Sequence, residues 1–323
     1  MRKLLLPLLL CLLLSLSACT QAPLAPMVYS GQPVDIPVPA VDSLPQLQDQ
    51  ATLWFRFGSE PFLAAESRTI AHHPTETHAL AILRELLEGP SAARAQLHSL
   101  FPQGTQVLSA TQSGRIMFVT LSRHIMNGYA DEPANWRDQP HWAVEVPLRR
   151  RLAMQSIAAT LTENCAVETV VILVDQTATD SLRLRQGYYT LDGDPSLAAP
   201  LTRDESLLLT PARTLAVILQ CWQEQDYGRL YQYIAPADPL TGALRPNAED
   251  FAAVMAAQHP LLRATAEGGS ISADGQSAVF TVSGAFLDRG GELPFSGMVL
   301  RLHREKGIWC IGLSQLTGRE ALP

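Results

Sequence analysis

Residues 169–174 constrain the fold more than any other part of the sequence, because this run (TVVILV) is apolar at every position after the first. Such a run is typical of a strand buried on both faces of a sheet. The elements predicted up to this strand follow the order β-α-β-β-α-β and indicate an α+β fold. They are a strand at 51–57, a helix at 77–88, strands at 106–112 and 115–122, a helix from about Pro147 to Asn164, and the strand at 169–174.

Local signals support these elements. Apolar residues recur at helical spacing between 77 and 88, and Gly89-Pro90 ends that helix. Ser113-Gly114 is typical of a tight hairpin turn between two strands. Pro147 suits the first turn of the second helix, so the arginine run 149–151 is expected to open that helix.

Five segments in this part resemble, in order, the bacterial GerMN domain family: Leu86–Pro90, Phe101–Thr105, Phe118–Ser122, Ile157–Thr162 and Val171–Asp175. The resemblance implies an extracytoplasmic domain of the kind known from sporulation and germination lipoproteins. It also implies a compact fold similar to the ring-building motifs of secretion and sporulation machines, and therefore assembly instead of catalysis. The family has no active site to transfer onto this chain.

Composition excludes two classes of protein. With 47% hydrophobic and 17% charged residues, the chain is not a disordered protein, and 24 basic against 31 acidic residues exclude a basic nucleic-acid binder. At roughly 150 residues per domain, 323 residues suggest two domains.

The N-terminus predicts a lipoprotein. A cationic head precedes an apolar run at 4–16 that is too short to span a bilayer, as in a signal peptide. The run ends in Leu16-Ser17-Ala18-Cys19, which resembles the bacterial lipobox. We therefore expect residues 1–18 to be removed and Cys19 to carry diacylglycerol. The mature chain would then have 22 basic and 31 acidic residues, a formal charge of −9, so lipid and not charge would hold it at the membrane.

The prolines divide the rest of the chain. Residues 19–49 contain six prolines and predict an extended tether. Residues 50–190 are expected to form the GerMN-like domain, and 191–206 a linker.

Residues 207–318 predict a second α+β domain. A helix starting at Thr210-Pro211 and a helical piece at 247–258 precede four strands, near 261–272, 277–287, 293–304 and 308–316. This order is similar to the nuclear-transport-factor-like (SnoaL-like) cone, in which helices pack on a curved antiparallel sheet. Trp222, Tyr227 and Tyr231 could line a pocket in such a cone or belong to its core.

Catalytic and metal motifs are missing from the sequence. Ser122, His124, Asp131 and His141 suggest a triad, but no G-x-S-x-G surrounds a serine. His72, His73 and His78, with Glu76 among them, match no metal-ligand spacing. We therefore predict no catalytic residue, no metal, no cofactor and no enzymatic activity.

Two features are candidates for partner contact. Tyr129, Trp136 and Trp142 lie on one predicted loop, where aromatic residues either form an interface or fold back over the core. Arg149, Arg150 and Arg151 could contact an acidic partner or remain solvated.

Cys11 would be removed with the signal peptide and Cys19 would be lipidated, which leaves Cys165, Cys221 and Cys310 in the folded part. The apolar surroundings of these three predict buried thiols. A disulfide between Cys221 and Cys310 is the alternative, because the compartment permits it.

Together these features predict a non-enzymatic lipoprotein, anchored through Cys19 to the bacterial cell membrane on its extracytoplasmic side. It would act as a scaffold or assembly component that contacts itself, another envelope protein or peptidoglycan, in sporulation or germination. The alternative is a module that binds a small ligand or cell-wall fragment in the C-terminal cone. Nucleic acid is not an expected partner.

Overall fold

A long antiparallel strand pair opens the fold in the computed structural model, which describes residues 45–177, 180–190 and 194–318. Strand β1 (Leu47–Phe57) pairs with β2 (Leu63–His72), with Leu47 opposite His72 and Arg56 opposite Leu63. The short β3 (Leu97–His98) pairs with the end of β1, giving the order β2-β1-β3. The predicted signal peptide, the predicted lipobox residues 16–18 and Cys19 lie outside the described residues.

The elements of the predicted order β-α-β-β-α-β are all present, but the structure adds the short β3 and, directly after β1, the strand β2, which the sequence analysis missed. Its sequence, LAAESRTIAH, is rich in alanine and contains glutamate, residues that are depleted in strands. Pairing with the apolar β1 overrides this weak propensity. Strand β1 also begins at Leu47, within the segment predicted as tether.

Helix α1 (His78–Glu88) confirms the first predicted helix. The hydroxyl of Thr77 accepts a hydrogen bond from the Leu80 backbone N–H at 3.3 Å and caps the helix. Gly89 ends it with φ 103°, a conformation that favours glycine. The inward face of α1 is apolar and buried: Ala79, Ala81, Ile82, Leu83 and Leu86.

Helix α2 (Pro140–Asn164) is longer than predicted. It begins at Pro140, so the prediction that it starts near Pro147 and that the arginine run opens it is wrong. Both prolines suit a first helical turn, but Pro147 lies inside the helix, where it removes one backbone hydrogen bond and its ring crowds the carbonyl four residues earlier.

The second sheet has the order β4-β5-β6-β7, formed by β4 (Val107–Ser113), β5 (Ile116–Leu121), β6 (Thr169–Thr177) and β7 (Asp180–Arg183). The hairpin at Ser113-Gly114 is confirmed, with Gly114 at φ 59°. Strands β5 and β6 are parallel, with α2 in the connection between them. Val170, Val171, Ile172 and Val174 of β6 are buried, as the apolar run predicts.

Three polar side chains on the inner face of α2 explain why β1 does not join this second sheet. Ser156 donates a hydrogen bond to the Trp54 carbonyl at 2.5 Å, and the Trp54 N–H donates to Thr160 at 3.1 Å. Asn164 bonds both the N–H and the carbonyl of Thr52, at 2.9 and 2.8 Å. Helix side chains at i, i+4 and i+8 therefore occupy the backbone groups of Thr52 and Trp54 on this edge of β1, so those groups are not available to another strand.

The C-terminal part confirms helices followed by an antiparallel meander. The short helix α3 (Gly187–Thr190) precedes this part. Its first three helices are α4 (Pro211–Glu224), α5 (Tyr227–Leu230) and α6 (Ala248–Ala256). They are followed by β8 (Leu261–Ile271), β9 (Ser277–Asp288), β10 (Gly291–Glu305), β11 (Ile308–Ile311) and α7 (Leu313–Thr317). The sheet order is β11-β10-β9-β8, so the α+β class is confirmed. The last predicted strand, 308–316, stops at Ile311, and α7 takes its place. The likeness to a nuclear-transport-factor-like cone stays a prediction.

Residues from both parts share one hydrophobic core, within a compact unit that starts at Pro45. The Leu209 N–H donates to the Leu63 carbonyl at 2.8 Å, and the rings of Phe57 and Tyr233 lie 5.0 Å apart. In the predicted linker, Leu201 exchanges two backbone hydrogen bonds with Val170. The predicted domain boundaries stay a prediction.

Cys165, Cys221 and Cys310 are all free thiols, so the alternative disulfide between Cys221 and Cys310 does not form.

Across the three described ranges, no helix combines the length and the apolar character needed to cross a membrane.

Candidate functional site

The aromatic loop, residues 123–139, folds back onto the start of α2. Trp136 is buried, with the Arg137 guanidinium 4.3 Å from its ring centre. Tyr129 is half-buried, and burial raises the pKa of its phenol far above the ordinary value. Trp142, which was predicted on this loop, lies instead in the first turn of α2 and is half-buried. Of the two interpretations of these aromatics, the geometry favours a cover over the core.

Arg149 holds this cover together. Its guanidinium carbon lies 5.4 Å from the ring centre of Tyr129 and 5.3 Å from that of Trp142. Its nitrogens contact Asp131 at 2.7 Å and Glu145 at 2.6 Å. The side chain therefore combines two cation–π contacts with two ion pairs, and its charge is satisfied inside the protein.

Glu145 extends the ion pairs toward the C-terminal part. Arg56 also binds its carboxylate, and donates to the backbone carbonyls of Ser59 and Glu60 at 2.7 and 2.9 Å. Burial pushes the pKa of Glu145 up, but hydrogen bonds from Arg56 and Arg149 outweigh burial, so this pKa lies below its ordinary value.

Glu60 completes the network by binding Arg229 of α5, with Oε2 and Nη2 2.6 Å apart. The network therefore links the aromatic loop, α2, the β1–β2 turn and α5 through ion pairs and through the hydrogen bond from Arg56 to the Glu60 backbone carbonyl. Sequence analysis missed it, because none of its pairs outside α2 is close in the sequence.

The other two predicted arginines point elsewhere. The Arg150 guanidinium lies 5.0 Å from the ring centre of Tyr188, and Arg151 pairs with Asp204 at 3.0 Å. The run 149–151 thus does not form one basic patch, because successive residues of a helix face different directions.

A stripe of α2 remains accessible to a partner. His141, Val144, Leu148 and Arg151 follow the spacing i, i+3, i+7 and i+10 and so share one face, which we call the α2 stripe. Val144 is 70% exposed, His141 and Arg151 are exposed, and Leu148 is half-buried. The stripe therefore combines apolar contact area with basic and imidazole groups.

A cavity of about 950 Å³ continues from the lower half of this stripe. Leu148, Arg151 and Met154 line it from α2, with Tyr189 and residues 198–206 opposite. The Tyr189 hydroxyl is buried and has no hydrogen-bond partner among the described residues. The cavity thus combines apolar walls with polar groups, among them the buried Tyr189 hydroxyl and the ion pair of Arg151 with Asp204.

Comparison with known proteins bears on the part of the chain that contains these features. Residues 57–180 match the sequence family Germane, described as sporulation and spore germination. The chain therefore contains a GerMN-type domain. The resemblance deduced from the five sequence segments is confirmed for this range.

Three solved structures are similar to about half of the chain at low sequence identity. The tandem GerMN domains of GerM from Bacillus subtilis are 17% identical (TM-score 0.32), over 49% of this chain and 45% of theirs, so this chain spans under half of that structure. The first GerMN domain of the same protein gives 15% identity and 0.31, over 48% of this chain and 98% of that one. A Clostridium perfringens protein described as a candidate lipoprotein gives 18% and 0.27, over 49% and 89%. No curated protein sequence is significantly similar to the chain.

Within the GerMN-type domain, the suggested catalytic residues are only partly brought together. Ser122 Oγ lies 3.4 Å from His124 Nδ1 but accepts a hydrogen bond from the Gln106 N–H at 3.0 Å. Asp131 is bound by Arg149, and His141 lies on the α2 stripe. A serine hydroxyl bonded to backbone and a carboxylate bound by arginine are not the arrangement of an activated nucleophile.

Three residues at the edge of the GerMN-type domain could hold a metal ion. Asp49, His72 and His78 place their ligand atoms within 4.8 Å of one another. Sequence analysis included Asp49 in the tether and so missed its part in the cluster. The β1–β2 register, which puts Asp49 and His72 on one face, carries the signal.

Outside the GerMN-type domain, the predicted pocket residues pack in the core. Trp222 is buried, 5.6 Å from the ring of Phe286. Tyr231 lies 5.4 Å from the ring of Phe251, and its hydroxyl donates to the Pro246 carbonyl at 2.8 Å. Tyr227 is half-buried and packs against the same core. Of the two sequence interpretations, these contacts favour core packing.

Proposed function

We propose that this chain is an extracytoplasmic lipoprotein whose GerMN-type domain is a non-catalytic docking module of a sporulation or germination assembly. The observation that carries the proposal is the family match over residues 57–180. The contacts described above add a candidate docking face, the α2 stripe.

The stripe suits docking because other contacts of α2 hold the helix in place within the protein. Ser156, Thr160 and Asn164 bond α2 to β1, and Arg149 joins its first turns to the aromatic loop. A partner that binds a fixed helix loses little conformational freedom on binding. Val144 supplies exposed apolar area at the centre of the stripe.

Anchoring is the second element of the proposal. A lipid on Cys19 would hold the chain at the membrane, and the roughly 30 residues that follow could span on the order of 90 Å if extended. The acidic mature chain makes charge attraction to anionic lipid an unsuitable anchor. The docking partner would then be a second copy of the chain or another envelope protein.

Site-specific photocrosslinking in cells tests the proposal. A photoreactive amino acid at Val144 should yield one discrete crosslinked band, whose mass and identity distinguish a second copy from another envelope protein. The matched control is Val299 on β10, which is 57% exposed and lies outside the stripe. Equal yields at both positions, or no product at Val144, would refute docking through the stripe.

A second candidate function is binding of a small ligand, and the 950 Å³ cavity supports it. The ligand class would be a lipid or cell-wall fragment with an acidic group that replaces Asp204 as the partner of Arg151. Such fragments should raise the melting temperature of the full chain. Ser206→Trp, at the exposed rim of the cavity, should remove that increase. A panel of fragments that leaves the melting temperature unchanged counts against this function.

A further inference from the structure

Asp49, His72 and His78 meet where β1 begins, β2 ends and α1 begins. In the β1–β2 pair, Leu47 lies opposite His72 and Asp49 opposite Ile70, so Asp49 and His72 are diagonal neighbours on one face. His78 occupies the first turn of α1, directly after its cap Thr77. Three separate elements therefore bring these side chains together.

Both imidazole rings are aimed at the same carboxylate oxygen. His72 Nε2 lies 2.9 Å from Asp49 Oδ2, and His78 Nδ1 lies 3.1 Å from it. The His78 contact lacks hydrogen-bond geometry, and this buried nitrogen has no other partner within the described chain. His72 is only 5% exposed.

The hydrogen bonds of His72 require a cation in this cluster. Its Nδ1 lies 3.1 Å from the His73 carbonyl oxygen, which can only accept, so Nδ1 carries a hydrogen. In the neutral ring, Nε2 is then a lone pair, and it faces a carboxylate oxygen that is also only an acceptor. Either a second proton or a metal ion must lie between them.

We propose that Asp49 Oδ2, His72 Nε2 and His78 Nδ1 bind one divalent transition-metal ion of the Zn²⁺ class. Two imidazoles with one carboxylate are ligands that Zn²⁺ and its neighbours favour, whereas Mg²⁺ and Ca²⁺ favour oxygen alone. A metal-binding histidine commonly donates its other N–H to a backbone carbonyl, as His72 does to His73.

The surroundings fit an open site. The side chains of Asp49 and His78 are 45% and 36% exposed, so water can complete the coordination. Within the described residues, the ion pairs of Asp49 are with these two rings, while nearby Glu76 is bound by Arg84 at 2.6 Å. The bound ion would join the first strand of the folded unit to α1, next to the predicted tether.

Metal titration of the untagged, metal-stripped full chain tests the site. We expect one Zn²⁺ per chain by calorimetry, visible absorption of tetrahedral Co²⁺, and a higher melting temperature with Zn²⁺ than with chelator. Mg²⁺ and Ca²⁺ should do none of these. Asp49→Asn and His78→Ala, at half-exposed positions, should weaken Zn²⁺ binding at least about tenfold, since even partners outside the coordination shell cost that much.

His73→Ala is the matched control, because His73 neighbours His72 but lies outside the cluster. It should bind Zn²⁺ as the wild type does. The melting temperatures without metal show whether each variant is folded. Failure of the wild type to bind Zn²⁺ would overturn the proposal and leave a protonated histidine–aspartate pair. Binding that survives in both ligand variants would also overturn it, because the ion would then lie elsewhere in the chain.

Discussion

The ion pair between Glu60 and Arg229 is the contact whose loss we expect to destabilise the protein most clearly. The Glu60 side chain is only 4% exposed, and that of Arg229 is 27% exposed. The pair joins the β1–β2 turn to α5, and so connects the GerMN-type domain to the C-terminal part. Replacing Arg229 by alanine would leave a buried carboxylate without its counter-charge.

Breaking a buried ion pair from one side typically costs 3–5 kcal/mol of unfolding free energy. Because Arg229 is partly exposed, we expect about 3 kcal/mol for Arg229→Ala, at the lower end of that range. For a chain of this size, 1 kcal/mol corresponds to about 2–4 °C, so the melting temperature should fall by about 6–12 °C.

Urea unfolding followed by circular dichroism measures this free energy, provided the slope of the transition stays unchanged. The matched control is Arg263→Ala, which removes an ion pair with Glu292 whose side chains are 65% and 58% exposed. That control should lose at most about 1 kcal/mol. The double variant Glu60→Gln/Arg229→Met, which leaves no buried charge, should be more stable than Arg229→Ala. If Arg229→Ala and the control lose the same free energy, the inference that burial makes this pair important is wrong.

Three further outcomes are expected. Thr160→Val keeps the volume of the side chain but leaves the Trp54 N–H unpaired, so the free energy of unfolding in urea should fall by about 1–3 kcal/mol. An unchanged midpoint would contradict the role of the polar side chains of α2 that bond to β1. Burial raises the pKa of Asp238, but hydrogen bonds from three backbone N–H groups outweigh burial, so the pKa in the folded protein is lowered. The ionised carboxylate therefore stabilises the fold above its unfolded pKa of about 3.9, and this stabilisation is lost as the pH falls through the folded pKa. Asp238→Asn should therefore be less stable than wild type at pH 7, with the difference shrinking below about pH 4; a difference that grows with acid would refute this sign. Burial raises the pKa of the Cys310 thiol to about 12, so maleimide should label the half-buried Cys165 before Cys310 in the folded chain. Mass spectrometry of timed samples measures the order of labelling, and earlier labelling of Cys310 would contradict this prediction.

The parts of the fold that the sequence predicts correctly are those set by local chemistry. Helix α1 follows from apolar spacing and a threonine cap, and the hairpin at Gly114 follows from a turn that needs φ above zero. The start of α4 at Thr210-Pro211 is of the same kind, since the Thr210 hydroxyl accepts from the Arg213 N–H. Each signal lies within a few residues of the structure it determines.

The errors arise where distant residues decide. Strand β2 has weak strand propensity, and pairing with β1 determines its structure. Helix α2 was predicted to start near Pro147 but begins at Pro140, and contacts of the aromatic loop with Arg149 accompany this earlier start. A helix boundary of this kind depends on packing that a local pattern does not contain.

The candidate site shows the same division between local and distant information. The α2 stripe could have been read from helical spacing once the helix start was known, because exposure of Val144 follows from its face. The cluster of Asp49, His72 and His78 required the register of two strands, one of which was not predicted. Metal motifs in sequence rely on close spacing, and a site formed across a hairpin and a helix lacks it.

Helix α2 has two faces with different neighbours, and this arrangement favours docking on the stripe. Its inner face bonds to β1 through Ser156, Thr160 and Asn164, so hydrogen bonds fix the backbone beneath the stripe. A partner therefore binds a helix that the protein itself has already ordered, and little conformational entropy is lost on binding. The stripe therefore presents its apolar and basic groups in a geometry that binding does not have to create.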